Sequence, residues 1–113
     1  MPRVSKIAQS PPYAVEKTLK ELGQNIRTAR LRRKLSMEEL AERIGITRLV
    51  MADIENGKPT TAIAAYLGAL WALGLIKQME DVAHPDKDLE GKTLEAARSP
   101  KTAPKRKALD DDF

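Results

Sequence analysis

Cysteine is absent from the 113 residues, which excludes disulfides and thiolate metal sites. There is one histidine, His84, next to Pro85. Without a cysteine or a second histidine it cannot anchor a zinc ion, and a solvated loop position suits it better. Aromatic residues are scarce: Tyr13, Tyr66, Trp71 and Phe113 are all there are. No apolar run approaches the roughly 18 residues of a membrane span, and the N-terminal MPRVSKIAQS lacks the apolar stretch of a signal peptide. A soluble, cytoplasmic protein is expected. The glycines are scattered as helix punctuation and form no phosphate-cradling loop. The carboxylates fall on solvent faces or near the C-terminus, without a pocket-forming context. Neither catalysis nor a metal or cofactor is expected.

What is present is Ala, Leu and Ile within a hydrophobic share of 42%. These residue types suit a small all-α core. The net charge is +4, but it is unevenly spread. Residues 1–34 hold nine Lys/Arg against Glu16 and Glu21, residues 35–83 hold four against seven acids, and residues 84–113 balance at seven each. A basic N-terminal third fits phosphate, and fits a solvated face equally well.

Residues 1–13 contain Pro2, Pro11 and Pro12 without periodicity and read as a flexible basic arm. From Ala14, Val15, Leu19, Leu22, Ile26 and Ala29 recur at steps of three and four, predicting a helix to about Lys34. Ser36-Met37-Glu38-Glu39 fits a capping box and opens a second helix, which Gly45 is placed to end. Thr47 can cap a third helix that Asn56-Gly57 stops. Pro59 and Thr60-Thr61 start a fourth helix carrying Ile63, Tyr66, Leu67, Leu70 and Leu73, and a short fifth follows Gly74. The expected organisation is an arm (1–13), a five-helix domain (14–83) and a polar, mostly disordered tail (84–113), in which Leu89 and Leu94 support at most one short helix.

The segment Met37–Glu55, MEELAERIGITRLVMADIE, is the informative one. A helix-turn-helix needs a small residue where two helices cross, a residue tolerant of positive φ in the turn, and apolar residues at fixed inward places. Counted from Met37 these are Ala41, Gly45, and the set Leu40, Ile44, Ile46, Met51 and Ile54. The alternative is a helical bundle in which the match is accidental. In a helix-turn-helix the second helix enters the major groove, and its outward positions here are Arg48, Leu49, Ala52 and Asp53. Arg48 can donate twice to guanine O6 and N7, Leu49 and Ala52 can touch a thymine methyl, and Asp53 can accept from cytosine N4. For Leu49 a core position at another helix phase remains open. Arg33, Lys34, Ser36, Asn56 and Lys58 are the candidate phosphate contacts.

The stretch LGQNIRTARLRRKLSMEELAERIGIT followed by DIENGKP resembles the XRE family of lambda-repressor-like helix-turn-helix proteins, over about residues 20–76. The resemblance implies a five-helix lambda-repressor-like domain, with base contacts at the four outward positions already named. It further implies an ion pair joining Arg30 of the first helix to Glu55 at the end of the recognition helix. Where the family often has a glutamine that braces a phosphate and the first recognition residue, this chain has Met37, which implies either a less constrained Arg48 or a weaker backbone contact.

Symmetric dimers are usual for such readers of double-stranded DNA, and palindromic operators follow from them. Trp71, Leu75, Ile76 and Met79 exceed what a small core needs and are the candidate homodimer interface, with Trp71 as a core plug the alternative. GKPTTAIAAYLGALWALGL and LEAARSPK are similar to small antitoxins of the HipB-like branch, which implies a repressor of its own operon that also binds a HipA-type kinase toxin. A free-standing or phage-type repressor, or an interaction module of the same fold without an operator, stay open beside it. The tail SPKTAPKRKALDDDF reads as a solubilising end or as a partner-binding motif built on Phe113.

Overall fold

The computed structural model describes residues 5–98. Phe113, the Lys105–Lys107 cluster and the expectations attached to them lie outside these residues. Among the described residues all regular structure is helical. They fall into two compact units, divided between Lys77 and Gln78. The boundary therefore comes six residues before the one expected from composition.

In the first unit, Ser5 caps a single-turn helix, α1 (Lys6–Gln9), inside the segment read as an arm. The long α2 (Tyr13–Arg32) follows Pro12. It stops two residues short of the expected Lys34, because Lys34 itself turns left-handed at φ 56. The N–H groups of Lys34 and Leu35 then return to the carbonyls of Leu31 and Arg30, satisfying the last turn as a Schellman end does. Next, α3 (Met37–Ile44) opens on a complete capping box: the Glu39 N–H donates to the Ser36 hydroxyl and the Ser36 N–H donates to the Glu39 carboxylate. Those bonds, the one from the Ser36 N–H foremost, hold the Glu39 carboxyl below its ordinary range.

Gly45, at φ 88, closes α3, and Thr47 caps α4 (Arg48–Glu55) by accepting from the Val50 N–H. α5 (Ile63–Ala72) begins later than Pro59-Thr60 suggests, since residues 58–62 form turns. Instead of a fifth α-helix there is a 3₁₀ helix at Ile76–Asp81, none of whose side chains is buried enough to hold a longer element. In the second unit, His84 caps a 3₁₀ turn at Pro85–Lys87 through its Nδ1, and α6 (Leu89–Arg98) starts where Asp88 accepts from the Gly91 N–H. Residues 89–98 form the one short helix that Leu89 and Leu94 suggest; none of its residues is buried, and local capping starts it.

The core holds Ile26, Leu40, Met51 and Ile54 fully buried, with Ala29, Ala41, Tyr66, Ala69, Leu70 and Leu73 around them. α3 packs on α4 and α5, and α2 packs on α4. The α2–α4 contact is made backbone to backbone. A β-carbon at Gly23 would lie 2.6 Å from the carbonyl oxygens of Ile54 and Glu55, and one at Gly57 would lie 2.5 Å from that of Leu19. These two glycines are close-approach points; Gly23 punctuates nothing, being in the middle of α2.

Gly→Ala inside a helix ordinarily stabilises by about 1 kcal/mol. At Gly23 the sign should reverse: Gly23→Ala is expected to lower stability by roughly 1–3 kcal/mol, as overpacking does. Thermal or urea melts decide it, and a stabilised variant would mean that the two helices do not meet this closely.

Candidate nucleic-acid interface

The outward face of α4 follows from what its inward face buries. Met51, Ile54 and Glu55 are buried, and Val50 is half-buried. Arg48 and Leu49 are thereby turned outward, with Ala52 and Asp53 half-exposed beside them. Leu49 is 73% exposed, which rules out the core position left open for it.

Glu55 is held in place from α2. Arg30 donates from Nε to Glu55 Oε2 at 2.6 Å and from Nη2 to Oε1 at 3.0 Å, a two-pronged pair. The two residues are 6% and 8% exposed, so the pair is desolvated. Its hydrogen bonds with Glu55 raise the Arg30 pKa above an already high value, so the guanidinium stays charged. The remaining prong, Nη1, donates to the Leu35 carbonyl at 2.9 Å and ties down the turn between α2 and α3. Arg27 Nε stands 4.0 Å from the same carboxylate.

The structure brings the other candidates into two groups. On one side of α4, Gln24 and Arg27 of α2, Met37 at the start of α3, and Ala52, Glu55 and Asn56 line an open groove of about 400 Å³. Gln24 and Arg27 were missed by sequence reasoning. Their spacing of three and six residues before Arg30 is the signal that would have found them, since it places all three along one side of α2. Ser36 adjoins this groove in sequence, and its hydroxyl is engaged in the capping box, accepting from the Glu39 N–H and bonding to the Glu39 carboxylate. On the other side, Lys58 Nζ lies 3.8 Å from Asp53 Oδ2. The Tyr66 hydroxyl donates to the Lys58 carbonyl at 2.9 Å, fixing the turn after α4 to α5. Burial pushes the Tyr66 hydroxyl pKa up, and the Asp53 charge adds to it.

Two candidates are less free than the sequence suggests. Arg33 donates to the Ala29 carbonyl of its own helix at 2.8 Å. Arg48, for which Met37 offers no brace, has its Nε 2.9 Å from Glu38 Oε2. Part of the basic α2 surface is also neutralised in place, Lys17 by Glu21 and Lys20 by Glu16. Lys34 is exposed on its left-handed turn. Away from this surface, Trp71 is 62% exposed and does not plug the core, whereas Leu75, Ile76 and Met79 are half-buried.

Residues 26–67, from the second half of α2 into α5, match the family model described as helix-turn-helix. Over this segment the chain is similar to helix-turn-helix domains. Domains of this kind are DNA-binding transcription regulators, and the match supports the resemblance to the XRE family. It encloses the Arg30–Glu55 pair, both helices of the motif and the turn after α4. No curated protein and no solved structure matches the chain. Among the described residues no group of His, Asp and Glu is arranged to hold a metal ion, and no helix is long and apolar enough to cross a membrane.

A buried pair broken on one side leaves a charge without compensation. Arg30→Met and Glu55→Gln should each destabilise the domain by roughly 3–5 kcal/mol, and the double variant by much less than their sum. Urea melts of the three proteins measure the coupling. Small, additive losses would show that the pair does not clamp the helices.

Proposed function

We propose that the chain is a sequence-specific transcriptional repressor that binds double-stranded DNA as a homodimer. The observation carrying this reading is the presentation of α4: its C-terminal end is pinned to α2 by the buried Arg30–Glu55 pair while Arg48 and Leu49 at its N-terminal end are exposed. In the major groove Arg48 takes a guanine and Leu49 a thymine methyl. Ala52 leaves room for close approach, and Asp53 reaches a cytosine amino group by giving up Lys58. Phosphates fall on the groove beside α4 that Gln24, Arg27 and Asn56 line, and on Ser36, Lys58, Lys34 and Arg33.

Dimerisation is supported by α5, whose ten residues IAAYLGALWA carry no charge and yet leave Ile63 and Trp71 exposed. Trp71, with Leu75 and Ile76, is the proposed contact, placing two recognition helices about 34 Å apart, one turn of B-DNA. The narrower role of an antitoxin that represses its own operon and binds a HipA-type kinase rests on the resemblance of residues 57–75 and 94–101 alone. Titration against the product of the adjacent gene tests it.

Binding titrations on cognate and mismatched duplexes test the main reading. Arg48→Ala should cost roughly 1–3 kcal/mol on the cognate site and relax the preference at one guanine per half-site. Lys58→Ala should weaken all sequences alike and reduce the salt slope by about one unit. Equal loss on every duplex for Arg48→Ala would overturn the readout, leaving a protein-interaction module of the same fold. Light scattering should give about 25 kDa, twice the 12.5 kDa of the chain. A monomer with and without a palindromic duplex would end the dimer.

A further inference from the structure

One charged side chain at this surface has no part in the reading above. Glu38 stands exposed in the first turn of α3 with its Oε2 at 2.9 Å from Arg48 Nε, an ion pair that spans the turn between the two helices of the motif. A carboxylate on a face that meets a polyanion opposes binding through simple charge repulsion. An acid in the first turn of a helix is favourable to the helix dipole, but Glu39 already supplies one there, within the capping box.

What is particular to Glu38 is the atom that it holds. A guanidinium is a planar fork of five N–H donors. A carboxylate at Nε takes up that edge of the fork and leaves the two Nη groups to donate as a pair. That pair is what guanine O6 and N7 accept. Unbraced, Arg48 is a long side chain whose ordering opposes every contact that it makes. Met37, half-buried along the groove, offers no polar group for the task.

We propose that Glu38 is the positioning residue for Arg48: by holding Nε it presents the Nη edge to the base and makes the contact selective for guanine. The inference rests on the reading of Arg48 as a base reader. Glu38 exchanges some affinity for every sequence against discrimination at one base pair. Because its charge also reaches Arg30, whose pKa it raises slightly, the test includes a stability measurement.

The experiment uses the full chain and a duplex selected from a random pool, with further duplexes in which each guanine of a half-site is replaced in turn. Dissociation constants on all of them, and melting temperatures, are measured for wild type, Glu38→Gln, Glu38→Asp, Arg48→Ala and the Glu38→Gln/Arg48→Ala double variant. Glu38→Gln is expected to bind the mismatched duplexes more tightly and to lose about two- to fivefold of the discrimination, the range of an exposed ion pair, at an unchanged melting temperature. Glu38→Asp keeps the charge but shortens the reach, so discrimination should fall without the gain on the mismatched duplexes. In the Arg48→Ala background, Glu38→Gln should leave discrimination where it is. Wild-type discrimination in Glu38→Gln, whether or not the melting temperature falls, would overturn the positioning role while leaving Arg48 as the reader. Full discrimination in Arg48→Ala would instead remove the reader itself, and this inference with it.

Discussion

The arrangement of the first unit depends on one carboxylate that cannot be left alone. Glu55 is buried and charged at the end of α4, and Arg30 meets it with two of its donors while giving a third to the turn before α3. Removing both ions from water costs several kcal/mol each, so the pair is tolerable only when its geometry is right. Misalignment of α4 by a fraction of a turn would expose that cost directly. The pair therefore acts on geometry more than on net stability: it admits one rotation of α4 about its axis and one path for the chain between α2 and α3. The direction of Arg48 and Leu49, at the N-terminal end of α4, is set about two turns away at its C-terminal end.

The contact at Gly23 and Gly57 works in the same direction from the packing side. Backbones this close have no side-chain layer between them to repack, so α4 has little room to slide along α2. An ion pair and a backbone contact, a few residues apart in both helices, give a junction that is fixed in rotation by charge and in translation by volume. The apolar core of Leu40, Met51 and Ile54 alone would specify neither so tightly, because cores of similar volume tolerate repacking.

Most of the motif was legible because its determinants are local. Ser36 with Glu39, Gly45, Thr47 and Asn56-Gly57 announce their helix ends through neighbours at most three residues away, and the inward apolar places follow from helical period. The Arg30–Glu55 pair, by contrast, came from resemblance; nothing in spacing joins residues 25 apart. What stayed hidden shares that non-local character. Gly23 looks like a helix defect until Glu55 is seen against it. Arg27 looks like one more surface cation until it is found beside the same carboxylate, and Asp53 reads as a free acceptor until Lys58 folds back to it. The 3₁₀ segment at Ile76–Asp81 was read as α-helix because its apolar residues have the right spacing, but spacing cannot report that none of them finds enough cover. The helix at Leu89–Arg98 was legible from Leu89 and Leu94, but its start comes from the Asp88 side chain on the Gly91 N–H.

The hydroxyl of Tyr66 on the Lys58 carbonyl has a consequence for cooperativity. The chain after a recognition helix is a loop, and loops ordinarily open on their own with little free energy. Here the carbonyl between Gly57 and Pro59 is bolted to a side chain that is itself part of the core, so Asn56 and Lys58 belong to the same opening unit as α5. Amide exchange in that loop should then follow the excursions of the core more than local fraying. The backbone under Asn56 and Lys58, the proposed phosphate contacts, is held without nucleic acid, which leaves less entropy to be lost at the moment of contact.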